Sequence, residues 1–168
     1  MANKTTVQKI SSCIWFDTQA EEAAKFYTSV FKDGKIGRVS YYGKEGYEVH
    51  KMPEGTVLTV EFEIGGQSFL GLNGGPIFKP SEAISFVVNC GSQEELDYYW
   101  DKLSEGGDPA SQVCGWLKDK FGVSWQVVPA VLADLMTSGD KGKAEKVMAV
   151  VMQSKKLNIQ ELEAAFGK

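Results

Sequence analysis

"AISFVVNCGSQEELDYYW" (Ala83–Trp100) decides the fold, because it restarts a pattern that the chain has already run once. Residues 83–89 read as a strand, with Ile84, Phe86 and Val88 on one side and Ser85, Val87 and Asn89 on the other. Ser92 then stands where a helix cap belongs, and Glu95 three residues later completes a capping box. A helix is predicted over 92–104, stopped by Gly106-Gly107. Moved back by 72 positions, the same order appears again. Ser11 falls on Ala83, Ile14 and Phe16 fall on Phe86 and Val88, and Asp17 falls on Asn89. Ala24-Lys25-Phe26-Tyr27 falls on Leu96-Asp97-Tyr98-Tyr99. Few identities survive, so the repeat rests on the matched order and polarity of the elements.

Working outward, the first half opens with a strand over 8–16 and a helix over 20–31. Asp17 or Thr18 is placed to cap that helix, and Ala23, Phe26, Tyr27 and Val30 recur at helical spacing. A strand over 36–42 and a glycine-rich loop over 43–55 follow. Residues 56–64 alternate cleanly: Leu58, Val60, Phe62 and Ile64 face one way, Thr59, Glu61 and Glu63 the other. Gly65-Gly66 is a two-residue hairpin signal leading to a strand over 67–73. Residues 74–81 read as a linker. In the second half, "CGWLKDKFGVSWQVVP" (114–129) supplies two strands around the turn "KDKFG", and a weak strand is expected between 108 and 114. Each half thus reads β-α-β-β-β, and neither can bury both faces of its sheet alone. Residues 130–168 read as three short helices, the last beginning at Asn158 with Glu161 three residues on. Val147, Met148, Val151 and Met152 give the middle helix an apolar stripe, read as packing against the sheet or a second subunit rather than as a cofactor box.

The 168 residues suit one domain: module one over about 7–73, module two over about 82–129, and the helical tail over about 130–168. The net charge of −4 and the absence of a basic patch exclude nucleic acid as the expected partner. No apolar run approaches the roughly 20 residues that span a bilayer. "MANKTTVQKI" carries no signal-peptide core, so a cytoplasmic location is expected. Cys13, Cys90 and Cys114 show no C-x-x-C spacing and read as reduced thiols. No phosphate loop, dinucleotide glycine motif or nucleophile elbow is present. The single histidine, His50, reads as a solvated loop residue. Glu61 and Glu63 point the same way; they form a solvated face, or Glu61 enters a cleft as a base or acceptor.

The stretches "WFDTQAEEAAKFYTSVF" (15–31), "LNGGP" (72–76), "ISFVVNC" (84–90) and 114–129 resemble the vicinal-oxygen-chelate superfamily, the glyoxalase and bleomycin-resistance fold. The closer resemblance is to its PhnB-like, demethylubiquinone-methyltransferase-like branch, and "KAEKVMAVVMQSKKLNIQELEAAF" (143–166) also looks like that branch. The resemblance implies an α+β fold in which paired βαβββ modules form a cupped mixed sheet. It also implies a bacterial homodimer, and places the superfamily's four metal positions at Ser11, Gly71, Ala83 and Gln126. None of these is a histidine or a carboxylate, which divalent metals of this class require. No cofactor is therefore expected, a divalent metal is disfavoured, and metal-independent binding of a small molecule is the better analogy. With those positions facing the cup, Cys13, Trp15, Phe69, Asn73, Ser85 and Ser124 join them, while Leu70, Leu72, Trp125 and Val127 face the helices. The ligand-pocket candidates are Ser11, Cys13, Trp15, Glu61, Asn73, Ser85 and Gln126. The rival is a metal-dependent lyase, isomerase or dioxygenase that recruits His50, Glu61 and Glu63. Methyl transfer gains no support, because no glycine loop for S-adenosylmethionine follows a strand.

Overall fold

The computed structural model describes residues 8–167. The stretch before Gln8, where the sequence reading finds no signal peptide and begins module one, lies outside the described residues. The chain divides into two compact units between Pro80 and Ser81.

The first unit contains β1 (Ser12–Phe16), α1 (Ala20–Val30), β2 (Lys35–Tyr41), the single-turn α2 (Tyr47–His50), β3 (Val57–Ile64) and β4 (Gln67–Asn73). Its strand order is β1-β4-β3-β2. β1 runs parallel to β4, and the other neighbours are antiparallel. Gly65 and Gly66 both take positive φ, +55° and +70°, as a tight turn matched to strand twist requires. Their amides donate to the two carboxylate oxygens of Asp33 at 3.0 and 2.9 Å. α1 lies over β3 and β4 through Ala20, Ala23, Ala24, Tyr27 and Val30, all buried. Small residues at its start let the helix approach closely. A Cβ at Gly71 of β4 would sit 3.2 Å from the Ala20 Cβ.

The helix cap departs from the expectation of Asp17 or Thr18. Gln19 stands at the cap position of α1 without a capping side-chain bond, and Asn73 at the far end of β4 accepts from the Ala20 amide at 2.8 Å. A residue distant in sequence thus does the work usually given to the preceding Ser, Thr, Asp or Asn.

The second unit contains β5 (Phe86–Cys90), α3 (Gln93–Ser104), β6 (Trp116–Lys118), β7 (Ser124–Pro129), α4 (Val131–Met136), α5 (Lys141–Gln153) and α6 (Ile159–Phe166). Its sheet has three strands in the order β5-β7-β6, with β5 and β7 parallel. The strand expected between 108 and 114 is absent. A 3-10 turn over Pro109–Ser111 replaces it, capped by Asp108, and only an isolated bridge joins Val113 to Trp116. Pro109 has no N–H for a ladder, which disfavours a strand there. α3 is capped as expected: Ser92 accepts from the Glu95 amide, and the Glu95 carboxylate accepts from Gly91 N at 2.7 Å. Its Leu96, Trp100 and Leu103 are buried, as are Leu117, Trp125 and Val127 of the sheet. In the "KDKFG" turn, the buried carboxylate of Asp119 accepts from Phe121 N, Val123 N and Trp125 Nε1.

The tail is integral to this unit. Asp140 caps α5 and Asn158 caps α6. Gln93 on α3 accepts from Ile159 N at 2.9 Å, and Lys156 pairs with Asp97 at 2.9 Å. Leu135, Val147, Leu157 and Leu162 fill the contact. The expected stripe of α5, which was to cover the sheet or a second subunit, divides within this unit. Val147 and Val151 are buried, but Met148 and Met152 are 41% and 63% exposed.

Candidate functional site

In the first unit, the pairing Cys13↔Leu70↔Glu61 and Trp15↔Leu72↔Thr59 defines the sheet face opposite α1. Ile14, Phe16, Val60, Phe62, Phe69 and Asn73 occupy the α1 side and are buried. Phe69, Gly71 and Asn73 therefore face the helix, and Leu70 and Leu72 face away, the reverse of the alternation expected for β4. Asn73 is 2% exposed and held on both ends of its amide: Oδ1 accepts from Ala20 N, and Nδ2 donates to Val57 O at 3.0 Å. Its backbone carbonyl also accepts from the Tyr42 hydroxyl. Asn73 is a brace, and it leaves the set of ligand candidates.

On the helix-free face lies a cleft of about 500 Å³, lined among others by Ser11, Lys35, Arg38, Glu61, Ser68 and Leu70. That size suits a small organic ligand. Arg38 grips Glu61 bidentately, Nε to Oε2 at 2.9 Å and Nη2 to Oε1 at 2.7 Å. Gly37 makes this possible, since a Cβ there would come within 3.1 Å of the Glu61 Cβ. The hydrogen bond from Arg38 holds the Glu61 carboxyl below the usual carboxylate range. That makes Glu61 a weak proton acceptor and a poor general base. Arg38 and Lys35 escape the sequence reading because β2 shifts register between Ile36 and Val39, which breaks its alternation.

Cys13 and Trp15 share this face. Partial burial of the sulfur pushes the Cys13 thiol up, away from nucleophilic activation. Trp15 donates from Nε1 to Gly75 O at 2.8 Å, and the Phe78 ring meets it edge-on at 5.1 Å. The segment from Gly74 to Phe78 thus forms a strap against the indole. Glu63 pairs across strands with Ser68 in register. His50 is occupied within its own loop: Nδ1 accepts from Met52 N at 3.0 Å, Nε2 meets Glu45 O at 3.1 Å, and the Tyr42 ring lies tilted against it at 4.4 Å. It is not among the residues lining the cleft.

In the second unit, Gln126 Nε2 donates to Ser85 Oγ at 2.8 Å, so these two candidates meet on the sheet face away from α3. Trp116 pairs beside Gln126. The buried Ser124 hydroxyl, two residues along on the same face, has no hydrogen-bond partner among the described residues. The sequence thus separates into two local groups: Ser11, Cys13, Trp15 and Glu61 in the first unit, Ser85 and Gln126 in the second.

The metal positions implied by the resemblance do not fit a divalent ion. Gly71 presents no donor atom and faces Ala20, Ala83 has none, and Ser11 and Gln126 offer only neutral oxygens. Among the described residues, no group of three or more His, Cys, Asp or Glu side chains can hold a metal. Nor is any helix among them long and apolar enough to cross a membrane.

A family model described as 3-demethylubiquinone-9 3-methyltransferase matches residues 8–128. A solved structure described as a putative 3-demethylubiquinone-9 3-methyltransferase, PhnB protein, from Bacillus cereus is 37% identical, with a TM-score of 0.61. The match covers 73% of this chain and 100% of that one. A protein from Pseudomonas aeruginosa is 19% identical with a TM-score of 0.56, over 73% of this chain and 98% of its own, and shows the fold alone. No curated protein matches the chain. The family match ends before α4, so the three tail helices lie outside it.

Proposed function

We propose, since the chain belongs to the family described as 3-demethylubiquinone-9 3-methyltransferase, the PhnB-like branch of the vicinal-oxygen-chelate superfamily, that it binds a small molecule without a resident metal. The observation that carries this reading is the cleft beside the Arg38–Glu61 pair, about 500 Å³ on the helix-free face of the first sheet. The site offers a guanidinium, a hydroxyl at Ser11 and an apolar floor at Leu70. It offers no activated base: Glu61 is held ionised by Arg38, and His50 is engaged elsewhere. Binding, rather than proton chemistry, is what these groups support. Methyl transfer is not part of the proposal. The protein is proposed to act as a cytoplasmic homodimer.

A thermal-shift screen of divalent metals, hydrophobic antibiotics and metabolites tests this reading, because a ligand of the native state raises the melting temperature. The expected result is a shift from an organic compound that a chelator does not abolish and that Arg38→Ala removes. A stoichiometric divalent metal in the purified protein, by elemental analysis, overturns it.

A further inference from the structure

We propose that His50 is a pH-sensitive clip: neutral, it holds the 45–52 loop against the strap at Trp15, and protonated, it releases both. His50 is half-buried and does not line the Arg38 cleft, so the clip stands apart from the ligand reading. Its two ring nitrogens meet opposite kinds of group. The Met52 amide is a donor, so Nδ1, 3.0 Å away, carries no hydrogen. The Glu45 carbonyl is an acceptor, so Nε2, 3.1 Å away, carries one. Only the neutral imidazole with its hydrogen on Nε2 makes both bonds. Protonation places a proton from solvent on Nδ1 and sets two N–H groups against each other. The bond from Met52 is lost, while the bond to Glu45 survives.

The loop leans on that bond. Lys51 takes φ +58°, one of two non-glycine residues among those described with positive φ. A side chain in this left-handed region is sterically penalised and persists only where its surroundings hold it. Two amide bonds do so: Lys51 N to Tyr47 O at 2.8 Å, and Met52 N to His50. The base of the loop is tied separately, by Tyr42 N to Thr56 O and Gly55 N to Tyr42 O, so release frees the tip and not the sheet. Met52 carries the change to the strap. A Cβ on Gly75 would stand 3.6 Å from Met52 Cε, and Gly75 O is the acceptor of the Trp15 indole. The Tyr42 and Tyr47 rings face His50 at 4.4 and 6.3 Å. Among the charged groups of the loop, Lys51 pairs with Glu48 at 2.9 Å and Lys44 with Glu54 at 4.0 Å. Glu45 is the remaining carboxylate; it attracts an imidazolium and so opposes release.

The test is nuclear magnetic resonance of the isotope-labelled full chain between about pH 8 and about pH 5, the range in which histidine changes charge. At the upper end the His50 ring should carry its hydrogen on Nε2. Toward the lower end, protection of the Met52 amide against hydrogen exchange should fall about tenfold, as loss of its one hydrogen bond implies. The Trp15 indole N–H resonance should move over the same range. His50→Asn sets an oxygen that does not titrate near the place of Nδ1, and should keep Met52 protected at both ends. His50→Ala should leave it unprotected at both, and Glu45→Gln should retain the transition. The proposal falls if the ring hydrogen sits on Nδ1 at the upper end, or if Met52 stays protected at the lower. It falls equally if His50→Asn shows the wild-type pH dependence, if Glu45→Gln abolishes it, or if the Trp15 resonance does not follow Met52.

Discussion

Replacing Asn73 by alanine separates a brace from a ligand contact. The side chain satisfies the first amide of α1 and the Val57 carbonyl at once. Loss of a helix cap costs about 1 kcal/mol. Leaving a partly buried carbonyl without its donor adds about 1–2 kcal/mol. The expected loss is therefore about 2–3 kcal/mol, which lowers the melting temperature by roughly 4–12 °C for a chain of this size. Thermal and urea unfolding followed by circular dichroism would measure it. A companion Ser11→Ala, on the cleft side, should change stability by less than about 0.5 kcal/mol. Asn73→Asp keeps the oxygen facing Ala20 N but sets a second oxygen against Val57 O, so it should not rescue. An Asn73→Ala protein as stable as wild type, yet deficient in ligand binding, would refute the brace and restore the residue to the pocket.

Three further outcomes follow from the same geometry. Gly74→Ala should loosen the strap over Trp15, because the added Cβ overlaps the indole ring; a loss of about 1–3 kcal/mol is expected, with a shift of the Trp15 indole N–H resonance. Burial pushes the Cys90 thiol up to about 12, so alkylation at pH 8 should modify Cys13 and Cys114 in the native protein and reach Cys90 only on unfolding; prompt labelling of Cys90 would contradict its burial. The Lys156 ammonium lowers Asp97 below the usual carboxylate range, so that contribution is present above the unfolded carboxylate pKa and is lost as pH falls through the folded value. Asp97 in turn raises Lys156, whose contribution is present below the ordinary lysine range and is lost as pH rises through its folded value. Urea midpoints of Lys156→Met should therefore vary less with pH at both extremes.

Much of the fold is legible where the signal is local. The capping box at Ser92, the Gly65-Gly66 turn, the alternation of β3 and the Asn158 cap each need only neighbouring residues, and each stands as expected. β4 misleads because both faces of "QSFLGLN" carry apolar side chains. Its orientation is set by pairing with β1 and by the fit of Gly71 against Ala20, neither of which is visible in seven residues. Asn73 reads as a pocket residue for the same reason: a polar side chain at a strand end gives no hint that its partner is a distant helix. The site is legible in part. Glu61 stands on the open face as read, but its partner Arg38 lies beyond a register shift that periodicity cannot follow.

The brace at Asn73 also sets an order of events during synthesis. α1 leaves the ribosome first, yet the side chain that closes its first turn lies 53 residues further on. An 11-residue helix is marginal in water without tertiary support. α1 therefore persists only once β4 has been made and has docked beside β1, so the first unit becomes protease-resistant in one late step rather than helix by helix.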